Sequence, residues 1–386
     1  MKTVVLVSLL YSVSFAQSIE TLIQSAYKNN YTLKIMQKDI NINTQNLKNS
    51  DSWDNPVLSV GLTDLQLDHI DDRTLEPMQT QYITLSQKIP LANKKGILKD
   101  ISKQKIKLSS LALDDKKAKI SSDITLLAYQ SVIIDEKLKL IKKRVANLKK
   151  MKKLTLAYQE DADKSLMIDL KVLKLDSKVQ TLESKQEEII QKIQKFTVEP
   201  ISNIDANLNF KSLPKIDLNN NSKLALVKQQ IEIAKKRVTL MKAKRTPDLK
   251  VSGGYFQRDN RDDYLNLSFA MPLPIGDSEE VEVIKSQLEV NKMEYSLNNL
   301  LNNFENEIKS LQIKAKKAHK NYTRLNQEIL PKQQKIIKLL KTKNRMGKIK
   351  LTEVLKSSNT SLDIEELALL ELQEYFEAYA RLRYYQ

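Results

Sequence analysis

Two periodicities divide this chain. Over most of its length apolar residues recur at steps of three and four. Ile134, Leu138, Ile141, Val145 and Leu148 form one such run; Leu351, Leu355, Ser358 and Leu362 form another, followed by Leu369, Leu372, Phe376 and Tyr379. This spacing keeps one stripe of a helix apolar and suits packed helical hairpins. Four short stretches alternate instead. Leu58, Val60 and Leu62 are interleaved with Ser59, Gly61 and Thr63, and Ile83, Leu85 and Ile89 with Thr84, Ser86 and Lys88. Leu249, Val251 and Tyr255 alternate with Lys250 and Ser252, and Leu265, Leu267, Phe269 and Met271 with Asn266, Ser268 and Ala270. A period of two places one set on each face of a strand. Each run spans about 10 residues, the length a tilted membrane strand needs, although a soluble hairpin with one wet face has the same period. The connectors Asp68 to Gln79 and Gln257 to Asp263 are charged and free of glycine, as loops outside a membrane would be.

The helical stretches are too long for an ordinary globule. From Ala92 to about Tyr158 there is no proline and only Gly96. A helix over that stretch would reach about 100 Å at 1.5 Å per residue, whereas globular helices average about 11–12 residues. Ser278 to about Met346 repeats the pattern, with Pro331 as its one interruption.

The two halves repeat each other. Asn55 to Gly61 resembles Thr246 to Gly253, and Ile83 to Leu91 resembles Leu265 to Leu273, with Pro90 and Pro272 separated by 182 (272 − 90). Leu166 to Lys171 resembles Leu351 to Lys356 at an offset of 185 (351 − 166). Three matches in one order predict a tandem duplication. The first repeat covers 17–222: a helix, a β-hairpin over 56–91, a long helical hairpin over 92–196 and a segment over 197–222. The second covers 223–386, with a β-hairpin over 247–273 and a helical hairpin over 277–384.

Four strands cannot close a barrel, and an open edge in lipid leaves unpaired backbone groups at several kcal/mol each. Membrane strands here therefore require an oligomer. A dimer supplies eight strands and a trimer twelve. Because barrels of about 8 strands are filled by their own side chains, a conduit predicts the trimer.

The N-terminus points the same way. Met1 to Ala16 has Lys2, a short apolar run from Val4 to Val13 and small residues at Ser14 and Ala16, which reads as a secretory signal peptide over 1–16. No other stretch holds the 18 or so apolar residues a transmembrane helix needs, so any crossing after export must use strands.

Composition excludes most chemistry. The chain has no cysteine, 6 glycines and two histidines, His69 and His319. Disulfides, thiol nucleophiles, cysteine-ligated zinc and glycine-rich phosphate loops are excluded, and no catalytic constellation or cofactor site is readable. The methionines are scattered and read as core fillers. His69 beside Asp68, Asp71 and Asp72 reads as a solvated loop and not as a metal site. The net charge of +17 reads as lysines interleaved with acids along solvated helices, not as a nucleic-acid footprint, since the export signal removes the chain from nucleic acid.

These residues resemble the TolC-type outer-membrane efflux family over essentially the whole mature chain. The most specific pieces are Ser86-Gln87-Lys88-Ile89-Pro90-Leu91-Ala92-Asn93-Lys94-Lys95-Gly96, at a strand-to-helix junction, and Ile329-Leu330-Pro331 followed by Asn344 to Leu355 with Gly347. The resemblance implies a mainly α fold with a membrane β-barrel: a homotrimer with a 12-stranded barrel in the outer membrane, and long coiled-coil hairpins forming a periplasmic α-barrel tunnel. The segment 197–222 would join an equatorial belt. It also implies an exit duct with no chemistry of its own, served by a periplasmic adaptor and an inner-membrane pump of the resistance–nodulation–division type, near the branch serving heavy-metal pumps. Ala162, Asp163, Lys164, Arg345, Met346, Gly347 and Lys348 would form the adaptor-docking tips, with the first turn near Asp161 to Leu166 and Ala162 or Asp163 matching Gly347. Glu353, with Asp169 as its first-repeat counterpart, would ring the pore constriction and favour cations; Lys356 stands where the family often has a second acid. The competing reading is a non-conducting coiled-coil protein of the cell envelope.

Overall fold

The structure, a computed structural model, describes residues 17–157, 162–201 and 203–386. The signal peptide expected over 1–16 lies outside the described residues. The elements are β1 (Gln17–Ser18), α1 (Ile19–Asn29), α2 (Tyr31–Asn49), β2 (Val57–Thr63), β3 (Thr80–Ile89), α3 (Lys94–Ala157), α4 (Ala162–Thr197), β4 (Ile204–Asp205), α5 (Ser222–Lys244), β5 (Leu249–Gln257), β6 (Tyr264–Ala270), α6 (Ser278–Arg324), α7 (Leu330–Arg345) and α8 (Leu351–Leu382). The fold is mainly helical. The chain groups into two units, each drawing on both predicted repeats.

One unit takes residues 36–113 and 223–301. Its four strands form a single antiparallel sheet in the order β2-β3-β5-β6, so the two predicted hairpins share one sheet through β3 and β5. The register explains the alternation. Leu58 pairs with Leu85, Leu85 with Gly253 and Gly253 with Leu267; Val60 pairs with Ile83, Ile83 with Tyr255 and Tyr255 with Leu265. The apolar positions that lie within the four strands thus fall on one face, exposed over most of its area and half-buried at Ile89, Leu249 and Val251: Val60 is 70% and Leu267 66% accessible. The other face carries Ser59, Thr84, Ser86, Ser252, Asn266 and Ser268, and near the loop ends a stacked row of Tyr82, Phe256 and Tyr264 with centroids 5.5 and 5.0 Å apart. Gly61 completes that row; a Cβ there would lie 2.5 Å from the Tyr82 hydroxyl. The sheet is open, since β2 and β6 each pair on one side only. Both edge strands have 7 residues, shorter than expected, because Pro56 precedes β2 and Pro272 lies just past β6. Proline has no N–H for a ladder.

The junction after β3 is built on a left-handed turn. Ala92 and Asn93 both have φ +54°, an unfavourable conformation for residues with a Cβ. The turn is pinned from the residue just before β5. Lys94, 8% exposed, donates to Asp248 at 2.5 Å; Lys88 reaches the same carboxylate at 3.2 Å and the Leu91 N–H donates to it at 3.3 Å. Partial burial raises the Asp248 carboxyl's pKa, but these donors outweigh it and hold the group low. The Asn93 side chain lies where a Cβ on Gly96 would sit, 2.2 Å away, which explains the glycine of the junction motif. Beyond it, α5 packs Ile233 and Leu240 against Ile101 of α3, and Ile231 and Ala234 against Val290 of α6. Met241 and Met293 fill gaps in these clusters, whereas Met78, Met167, Met271 and Met346 are exposed and fill no core.

The other unit takes residues 17–35, 114–222 and 302–386 among those described. Here β1 pairs in parallel with β4, tying the first described residues to the 197–222 segment. That segment sends Phe210 into an aromatic cluster, edge-on to His319 at 4.4 Å and Tyr375 at 4.6 Å. Phe376, fully buried, stacks on Tyr129 at 3.9 Å. His319 is exposed on α6 and lays its ring against Phe210 from the solvent side. Between α6 and α7 the backbone passes through a π-type turn, Leu325–Ile329, immediately before Pro331. The wider turn accommodates a residue that lacks an N–H and crowds the carbonyl four residues back. The seam of α3 falls as expected, with Ile134, Ile141 and Leu148 buried. That of α8 is displaced at its start. Val354, Ser357 and Ser361 are buried there, whereas Leu351 is 39% exposed. Gln333 of α7 donates to the Ser357 carbonyl at 2.8 Å and contacts its hydroxyl at 3.0 Å, so a polar contact fixes the phase that leucine spacing alone misassigns.

Candidate functional site

The expected working residues lie at the ends of the helical hairpins. The second turn is fully described. Helix α7 stops at Met346, and Gly347 follows with φ +71°. The Lys348 N–H donates to the Lys343 carbonyl at 2.9 Å and the Gly347 N–H to the Asn344 carbonyl at 2.9 Å. This nested pair is a Schellman stop, which satisfies the last helical carbonyls and requires a left-handed residue at Gly347. Asn344 then donates its side-chain amide to the Ile349 carbonyl at 2.8 Å, closing the turn before α8 starts at Leu351. Arg345, Met346, Gly347 and Lys348 are all exposed.

The first turn differs from the expectation. Helix α4 already begins at Ala162, so Ala162, Asp163 and Lys164 form its first turn and do not match Gly347. Residues 158–161, Asp161 included, lie outside the described residues. Asp163 stands where a carboxylate favours the positive end of the helix dipole. The repeat offset carries Leu166 onto Leu351, yet α4 starts four residues before Leu166, so the two turns do not superpose in sequence.

The two candidate constriction acids are each tied to a lysine. Glu353, exposed in the first turn of α8, accepts from Lys356 at 2.9 Å. Asp169 accepts from Lys152 of α3 through both oxygens, at 2.7 and 2.6 Å. No hydrogen bond or ion pair joins Glu353 to Asp169 among the described residues.

Behind the turns, polar contacts bind α8 to its neighbours. Arg144 of α3 reaches Asp363 at 2.6 Å and Glu366 at 3.2 Å, and Lys178 of α4 reaches Glu366 at 2.5 Å. Asn147 donates to Asn359 at 3.1 Å. Burial raises the Glu366 carboxyl's pKa, but Lys178 and Arg144 outweigh it and hold the group below the usual carboxylate range. This clasp was not legible in the sequence. Its partners stand 188 to 222 residues apart (366 − 178 and 366 − 144), and no local pattern relates them. Among the described residues no group of three or more His, Cys, Asp or Glu is placed to hold a metal ion.

No protein-family model and no curated protein matches the chain by sequence. Solved structures match along nearly all of it. The CmeC outer membrane channel of Campylobacter jejuni is 15% identical, covering 95% of this chain and 84% of that one at a TM-score of 0.75. The MtrE outer membrane channel of Neisseria gonorrhoeae, in its open state, is 12% identical, covering 95% and 88% at 0.78. The outer membrane protein VceC of Vibrio cholerae is 11% identical, covering 94% of each chain at 0.75. This chain has the fold of the TolC-type outer-membrane channels. Within the channel fold the apolar sheet face, the open sheet edges and the helix turns all have a place. At these identities the likeness concerns fold, and side-chain roles rest on this chain's own geometry.

Proposed function

We propose that this protein is the outer-membrane exit channel of a tripartite efflux system, a homotrimer passing cargo from an inner-membrane pump and a periplasmic adaptor to the outside. The observation that carries the reading is the sheet. It presents one mostly apolar exposed face, interrupted by Gln81, Gln87 and Gln257, and one mostly polar face, and its edges β2 and β6 run antiparallel to each other, so each can pair with the next copy. Three copies give twelve strands and leave a lumen. No described helix is long and apolar enough to cross a membrane, so the sheet is the available spanning element. Helix α4 supports the oligomer with an exposed stripe of Leu166, Leu170 and Leu173.

In this reading the chain is a tandem duplication whose residues 1–16 are a signal peptide, and the α-barrel tunnel lies in the periplasm. Ala162, Asp163, Lys164, Arg345, Met346, Gly347 and Lys348 form the tips that meet the adaptor. Glu353 and Asp169 stand near the constriction, and the pump is of the resistance–nodulation–division type. The protein performs no reaction and needs no cofactor. Single-channel recording of the purified protein, with subunit count by native mass from the same sample, tests the reading. A conducting trimer is expected. A soluble, non-conducting monomer or dimer would refute it in favour of a coiled-coil envelope protein.

A further inference from the structure

The excess charge of this chain is not spread along it. Residues 137–178 hold 13 Lys or Arg against 5 Asp or Glu, and residues 332–356 hold 9 against 1. These two stretches carry +16 of the net +17, so the remaining residues are nearly neutral. The even interleaving expected from the sequence fails here, and the structure gives the concentration a location. The stretches are the second half of α3 with the first half of α4, and α7 with the start of α8: the two helical hairpins around their turns. Lys149, Lys150 and Lys153 on α3 and Lys338, Lys341 and Lys343 on α7 are exposed, and none has a carboxylate partner among the described residues. Of the acids within these stretches, Glu353 is engaged by Lys356 and Asp169 by Lys152, and the net charge already counts the others.

We infer that the inner mouth of the duct is an anion-selective entrance, and that the cargo it admits is anionic or carries anionic groups. This rests on the channel reading above. Three copies place about +48 around one opening (three times the +16 of the two stretches). Low-dielectric walls focus such a field into the passage and raise the local concentration of counter-ions. The field reaches about 8 Å at 0.15 M salt and about 30 Å at 0.01 M, so a narrow mouth lies within it even at physiological strength. With its carboxylate already neutralised by Lys356, Glu353 does not make the cation ring that its position first implied.

The test is the reversal potential of the full-length protein in planar bilayers under a tenfold KCl gradient. Chloride permeability should exceed that of potassium by roughly threefold or more near 0.01 M and approach parity at 1 M. The variant Lys338→Gln/Lys341→Gln/Lys343→Gln alters only exposed side chains, so trimer and conductance should persist while the preference falls by about half. Cation preference, or parity at low salt, in a conducting trimer overturns the inference while the channel stands; the basic helices would then face an acidic partner protein and not the passage. Absence of any conductance in a folded protein overturns the channel reading and this inference with it.

Discussion

Arg144→Ala probes the clasp that joins α3 and α4 to α8. Arg144 is 17% exposed and bonds Asp363 at 2.6 Å and Glu366 at 3.2 Å. Truncation strands no carboxylate, because Asp363 is 62% exposed and Glu366 keeps Lys178 at 2.5 Å. The cost is therefore that of two charge-assisted contacts, about 0.5 kcal/mol for the exposed one and about 1.5–2 kcal/mol for the half-buried one. The buried Arg144 Nε has no partner, and removing it returns part of that cost. The net loss is about 1–2 kcal/mol, a factor of roughly 5–30 in local opening at about 1.4 kcal/mol per tenfold. Hydrogen exchange in the folded protein reads this directly. Amides of 354–366 should exchange that much faster, while those around Phe376 stay unchanged. Arg144→Lys should recover only part, since one ammonium cannot fork between two carboxylates. A double-mutant cycle with Glu366→Gln should give a coupling of about 1 kcal/mol. If Arg144→Ala changes exchange across 354–366 by less than twofold, the clasp does not hold α8 and the reasoning fails.

Acidification should act on the same clasp. The Glu366 carboxyl is held low in the fold, so its stabilisation is complete above its unfolded value of about 4.3 and is lost as pH falls through the lower folded value; protection over 354–366, taken relative to the intrinsic exchange rate at each pH, should be flat from pH 7 to 5 and fall only below about 4. Gly347→Ala should cost about 1 kcal/mol through its left-handed backbone alone, since nothing lies within 4 Å of an added Cβ, and Gly347→Asn should cost less; equal losses, read as exchange at Lys348, would contradict the Schellman assignment. Asp248→Asn leaves the buried Lys94 ammonium without its carboxylate and should destabilise by about 2–3 kcal/mol in denaturant unfolding, with Lys94→Met in the same chain restoring part of it; an additive double variant would show that the pair does not matter.

Sequence and structure divide the explanation along physical lines. Periodicity is local, and what it determines is local. The alternation at Leu58–Val60–Leu62 and Leu265–Leu267–Phe269 already assigned strand faces, because strand sterics send successive side chains to opposite sides. The proline-free run after Ala92 already required a helix, which the structure places at Lys94–Ala157. Gly347 already marked a helix stop, because few other residues adopt positive φ cheaply. The seam of α8 shows where this reasoning ends. Leucine spacing at Leu351 and Leu355 competes with a buried Gln333–Ser357 hydrogen bond that no window of sequence contains, and the hydrogen bond sets the phase. The first turn shows the same limit, since a likeness between two sequence stretches does not oblige the loops before them to have equal length.

The sequence by itself determined the element types, the strand faces and the position of the second helix turn, because these follow from backbone sterics and side-chain order along the chain. Only the tertiary structure decided that both hairpins share one sheet, that Asp248, just before β5, neutralises Lys94, that Arg144, Glu366 and Lys178 form one clasp, and that Glu353 and Asp169 are already paired. Those depend on which distant side chains meet, and Coulomb and hydrogen-bond energies fall off with distance in space and not with separation in sequence.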